Sequence, residues 1–123
     1  MNKINPITLA TLPQFTEQEV FDYVSNHLLK QNEKSTLGGN NQCVYRGDNG
    51  LKCAAGCLIA DNEYKAILEG NIWYKLIDKG LVLPDHKTLI MSLQNVHDGF
   101  NVSDWSNALS EVANEFSLKF NQG

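Results

Sequence analysis

The sequence lacks most of the features that assign a protein quickly. It lacks an even set of cysteines: there are three, whereas a secreted disulfide framework prefers pairs. The thiols are therefore expected to be free or metal-bound in a reducing cytoplasm. It lacks a surplus of positive charge. Ten Lys and Arg against fourteen Asp and Glu leave a net charge of −4, without the basic patch that marks a nucleic-acid partner. That acidic excess is also too mild for a mimic of DNA. No apolar run approaches the ~20 residues of a membrane-spanning helix. The opening MNKINPITLATLPQF, with one lysine and an interrupting proline, makes a poor signal peptide. Internal repeats and low-complexity segments are missing too. The expectation is a cytoplasmic protein with neither a membrane nor a nucleic-acid partner.

What remains is ordinary globular material. A chain of 123 residues with 42% hydrophobic content suits one domain that buries its own core. Residues 1–14 read as an extended N-terminal lead-in and 15–123 as a single globular domain. Thr16 and Glu19 form a capping-box pattern, with Phe15 and Val20 placed as its hydrophobic staple. Val20, Phe21, Val24 and Leu28 then share one helical face, which predicts a helix over about 17–32. The polar NEKSTLGGNN that follows is a loop. In residues 42–54, QCVYR and LKC flank the turn sequence GDNG and predict a small β-hairpin. Asp61 is placed to cap a short helix through Tyr64, Ile67 and Leu68 that stops at Gly70. Asn71 is placed to cap another, carrying Trp73, Leu76 and Ile77 and stopping at Gly80. Asp85 and Ser103 are the expected caps of two longer helices. Leu89, Ile90, Leu93 and Val96 recur at helical spacing in the first, and Trp105, Leu109, Val112 and Phe116 keep the 3.6-residue period in the second. The predicted class is a mostly helical α+β domain with about five helices and one hairpin.

Chemistry concentrates where the cysteines do. Cys43, Cys53 and Cys57 follow a C-x9-C-x3-C spacing, and His97, His86 or His27 offers a fourth ligand. A structural zinc ion commonly takes closely spaced cysteine pairs, and Cys43 has no near partner. No metal or other cofactor is therefore favoured; a zinc site, if formed, would use Cys43, Cys53, Cys57 and His97. A thiol nucleophile needs an adjacent base and a third group to orient it, and Cys43, His97 and Asp98 supply the residue types. A histidine in the last helical turn with an aspartate beside it equally suits a purely structural helix end. Hairpin register bears on both readings. A two-residue turn sends Cys43 and Cys53 to opposite faces, whereas a three-residue loop sets Tyr45 across from Cys53 with Cys43 on the same face.

The same stretch contains Arg46-Gly47-Asp48, an adhesion tripeptide. Gly47 and Asp48 are sufficiently explained as turn residues. Arg46 can fork onto a carboxylate, with Asp61 or Asp98 as the internal partner. Arg46, Tyr45 and Asp48 are the candidate binding residues.

Three segments taken together, CVYRGDNGLKCAAGCLIADNEY, LQNVHDGF and DWSNALSEVANEFSL, resemble a family of small, largely uncharacterised bacteriophage and prophage proteins. The resemblance spans roughly residues 17–118. It implies a prokaryotic or viral cytosolic protein and highlights Cys43, Arg46, Cys53, Asp61, His97 and Asp98, with Cys57 fitting less firmly. It carries no activity. The expected function is that of an accessory protein that binds a host or bacterial protein, as a host-directed or anti-defence inhibitor. A thiol hydrolase or transferase using Cys43, His97 and Asp98 is the alternative, and a zinc-stabilised module is the third reading.

Overall fold

Four α-helices carry the fold: α1 (Glu17–Gln31), α2 (Trp73–Asp78), α3 (Lys87–Gly99) and α4 (Trp105–Glu115). They are seen in a computed structural model that describes residues 6–38 and 43–120. The start of α1 is set by its side chains. Thr16 Oγ1 accepts from Glu19 N at 3.1 Å, and Thr16 N donates to Glu19 Oε1 at 2.9 Å, so two orphan donors of the first turn are satisfied reciprocally. The helix ends on Asn32, whose N–H makes the last helical bond to Leu28 O and whose left-handed backbone then turns the chain away.

Apolar periodicity decides how the helices pack. Val20, Phe21, Val24 and Leu28 of α1 are buried, as are Leu89, Ile90, Leu93 and Val96 of α3 and Trp105, Leu109 and Val112 of α4. Helix α3 is central and packs against each of the other three. Burying a Leu, Val or Ile side chain is worth roughly 1.5–3 kcal/mol, so these stripes dominate the core. Short α2 contributes Trp73 and Leu76 to it. Gly80, with φ +72, closes α2 by letting Leu81 N reach back to Leu76 O at 2.9 Å. The described part of the N-terminal segment, residues 6–14, places Ile7 and Leu12 in the core and forms one 3-10 turn at Leu12–Gln14. Among the described residues, no helix is long and apolar enough to cross a membrane.

Two expectations are overturned. No β-strand occurs among the described residues, so the hairpin over 42–54 and the α+β class are replaced by an all-helical fold. Residue 42 itself lies outside the described part. The turn forms, with Gly47 N donating to Leu51 O at 2.8 Å around Asp48–Gly50, but its arms bond elsewhere. Tyr45 N and Arg46 N donate to the Glu69 carboxylate, and Lys52 N donates to Gln31 Oε1. Arms committed to other partners cannot form a ladder with each other. Among the described residues, the one β-like pairing is an antiparallel bridge between Thr36 and Cys43.

The second overturned expectation is the count of about five helices. The helix expected from Asp61 is a single turn at Ala60–Tyr64, followed by a 3-10 turn at Ala66–Leu68. Glu63 turns its carboxylate back onto Ala60 N, Leu9 N and Ala10 N, and Lys65 is extended. Three expected caps also differ. Helix α3 starts from a left-handed His86 without a side-chain cap, α2 starts from Ile72, and a 3-10 turn at Val102–Asp104 precedes α4.

Candidate functional site

Helix α3 buries one face and offers a second. Met91, Gln94, Asn95 and Asp98 recur at i, i+3, i+4 and i+7, so they share a stripe. That stripe forms one wall of a cleft of about 340 Å³. Glu69 to Trp73 form another wall, and Cys43, Val44, Tyr45 and Cys53 complete the lining. Tyr45 and Trp73 meet edge to face, with ring centroids 6.4 Å apart. Tyr45 is held in place by its hydroxyl, which donates to Asn71 O at 2.7 Å.

Asp98 is the polar hub of the cleft. Its Oδ1 accepts from His97 Nδ1 at 2.8 Å and from Gln94 Nε2 at 2.8 Å. Burial pushes its carboxyl up, but the hydrogen bonds it accepts, that from His97 first, outweigh this and hold it below the ordinary carboxylate value. Gln94 in turn accepts from Ala55 N at 2.8 Å through Oε1, which fixes the orientation of its amide.

His97 is fully buried and stacks on Trp105 at 5.5 Å between centroids. Its tautomer follows from its partners. Ser35 N–H donates to Nε2 at 3.0 Å, so Nε2 carries the lone pair and Nδ1 carries the proton given to Asp98. Ser35 is itself buried and anchored through Oγ to Leu51 O at 3.2 Å.

The structure thus brings together Cys43, His97 and Asp98, with one polar atom from each within 4.8 Å of the others. Its wiring differs from that of a thiol nucleophile. A base must present a free lone pair to the thiol, and the only one on His97 is taken by a backbone N–H. The Cys43 thiol, pushed up to about 11 by burial and then by the neighbouring Asp98 carboxylate, stays protonated. Within the trio His97 donates to Asp98, and Cys43 lies beside them as a protonated thiol.

The four residues named for zinc do not assemble. Cys57 Sγ donates to Ala54 O at 3.1 Å, Cys53 Sγ accepts from Gly56 N at 3.2 Å, and both nitrogens of His97 are engaged. Burial raises the Cys53 thiol to about 12 and pushes the Cys57 thiol up as well, against the thiolate that zinc requires. His27 Nε2 donates to Lys52 O at 2.9 Å and His86 Nε2 to Phe15 O at 2.8 Å; both are spent on structure.

Of the candidate binding residues, Tyr45 lines the cleft. Arg46 turns inward, donating to Gly56 O, Ile59 O and Asp61 Oδ1 at 2.9, 2.6 and 3.2 Å, with its guanidinium 5.0 Å from the Tyr64 ring centroid. Asp48 Oδ2 accepts from Gly38 N at 2.6 Å, a turn role. Sequence reasoning missed Glu69, Met91, Gln94 and Asn95 as cleft residues, and it offered Trp73 as a stacking surface or a core residue. The stripe 91, 94, 95 and 98 was a findable signal, because it lies beside the core stripe of the same helix. Glu69 carries no local signal. Comparison with family models, with curated proteins and with solved structures finds no match to this chain.

Proposed function

We propose that this chain is a small accessory protein that works by binding another protein in a bacterial cytoplasm, as a phage-type inhibitor of a host protein or host defence. The phage assignment rests on the sequence resemblance. The observation that carries the binding reading is a groove of about 680 Å³ between α3 and α4. Met91, Val96, Phe100, Ala108 and Val112 supply its apolar lining, and Glu111 and Glu115 give it acidic side chains. Phe100 remains 41% exposed, and exposed aromatics are typical anchors of protein interfaces. The complementary partner segment is apolar with a Lys or Arg placed against the two glutamates.

The test compares capture from bacterial lysate by the wild-type chain and by Phe100→Asp, repeated with the recovered protein in purified form. A single purified partner that binds the wild type and binds Phe100→Asp at least about tenfold more weakly is the expected result. Recovery of the same proteins by both forms overturns the groove as the binding surface.

A second reading, a thiol hydrolase or transferase, rests on the proximity of Cys43, His97 and Asp98 alone, since the His97 lone pair is occupied. Alkylation of Cys43 by iodoacetamide separates the two. For a non-catalytic thiol, labelling at neutral pH is slower than for free cysteine and accelerates only as pH climbs toward about 11. Labelling faster than free cysteine at neutral pH, abolished by Cys43→Ser, would establish an activated nucleophile.

A further inference from the structure

We propose that the cleft on α3 is a binding site for a small organic cation, an alkylammonium that also carries a hydroxyl or carbonyl acceptor. Four observations converge on that chemistry. Two carboxylates, Asp98 and Glu69, stand in the lining, and no Lys or Arg does. Neither carboxylate has a Lys or Arg nitrogen within ion-pair distance among the described residues. The only basic side chain paired to Asp98 is His97, whose proton arrangement makes it a neutral donor. Lys34 Nζ reaches only the backbone carbonyl of Asp98, at 3.4 Å, so among the described residues neither carboxylate is paired directly with a cation and a cationic ligand can take that place.

The second observation is the apolar surface. Trp73 and Tyr45 form an edge-to-face corner, and Met91 lies on the opposite wall. Aromatic faces attract organic cations through the ring quadrupole, and a thioether supplies polarisable contact. The third is an unmet donor. Trp73 is 2% exposed, and its indole Nε1–H is the one buried side-chain polar atom without a partner among the described residues. Trp73 lines the cleft, and a buried donor left unpaired costs free energy that an acceptor reaching it from the cleft would recover. Because Asp98 and Glu69 repel a second carboxylate, that acceptor is a neutral oxygen. The fourth is size: about 340 Å³ lies at the small end of ligand sites.

Two sources share this chemistry, a free amine or the side chain of a lysine on a peptide. Both are tested by following the two indole N–H signals of the 15N-labelled chain by NMR. The Trp73 signal is identified by its loss in Trp73→Phe. Trp105 is the internal control, since its Nε1 already donates to Phe100 O at 3.2 Å. The probes are choline, ethanolamine and N-acetyl-lysine N-methylamide, together with the neutral isostere of choline in which a tert-butyl group replaces the trimethylammonium.

An ammonium probe is expected to shift the Trp73 signal saturably while the Trp105 signal stays in place. Asp98→Asn is expected to weaken that binding by about tenfold or more, the worth of a charge-assisted contact. Titration by the lysine derivative alone identifies the source as a peptide side chain; titration by choline or ethanolamine identifies a free amine. If Asp98→Asn does not fold, Asn95→Lys, on an exposed position of the same stripe, places a competing ammonium in the cleft and must abolish binding. Equal shifts from the neutral isostere, no titration by any ammonium, or unchanged affinity in a folded Asp98→Asn overturns the assignment.

Discussion

The helices α1, α3 and α4 and the irregular stretch from Cys43 to Ile72 are held together by different physics. The helices satisfy their own backbones, and apolar stripes of regular period glue them together. The irregular stretch has no ladder, so side chains from distant positions satisfy its backbone instead. Glu69 takes Tyr45 N, Arg46 N and the Tyr64 hydroxyl. Arg46 takes the carbonyls of Gly56 and Ile59, Gln94 takes Ala55 N, and Gln31 takes both the N–H and the carbonyl of Lys52. Gly56 fits because a Cβ there would strike the Tyr45 carbonyl. In the helical part each residue contributes a small, replaceable share of stability. In the irregular part a few polar side chains each hold several backbone groups, so damage there should be concentrated.

The sharpest way to break that contrast is Glu69→Ala. It removes the acceptors of two backbone N–H groups and one hydroxyl in a half-buried setting, and unpaired groups lose about 1–3 kcal/mol each. Allowing for water and relaxation, the expected loss is about 3 kcal/mol, measured by urea denaturation. Glu69→Gln keeps the shape and one acceptor oxygen and should lose roughly half of that. A cost for Glu69→Ala no larger than that of an ordinary surface substitution, within ±0.5 kcal/mol, would mean that the stretch is held by packing alone.

The same contrast explains what was legible in the sequence. The capping box at Thr16 and Glu19, the buried faces of α1, α3 and α4, and the stop at Gly80 are local patterns, and each appears where its residues imply. The hairpin at Asp48–Gly50 was misread because turn chemistry was taken to fix the arms as well. The turn forms, but the carboxylate that captures Tyr45 N and Arg46 N belongs to Glu69, more than twenty residues downstream, and no spacing rule announces it. Asp61 looked like a cap, yet the neighbouring Glu63 folds back onto Ala60 and fastens residues 9 and 10. For the candidate site, the grouping of Cys43, His97 and Asp98 was visible as residue types. Its wiring was not, because the state of His97 is decided by the backbone N–H of Ser35. That contact depends on how the loop after α1 crosses α3.

The smaller test lies on the helical side, at Thr16. Both bonds of its capping box are exposed, and the helix they start is anchored beyond its first turn by buried Phe21, Val24, Ser25 and Leu28. Thr16→Ala forfeits the side-chain acceptor for Glu19 N and should cost about 1 kcal/mol. In a domain of this size that corresponds to a fall in Tm of about 4 °C. The loss should be local, with amide exchange accelerating over the first turn of α1 and unchanged in α3 and α4. Thr16→Ser, which keeps an acceptor at the same reach, should restore most of it. The tertiary contacts of α1 do not depend on its first turn, so the helix frays without undocking. Exchange that accelerates throughout α3 as well would show that the helices are no more redundantly held than the stretch fastened by Glu69, and the contrast between the two regions would fail.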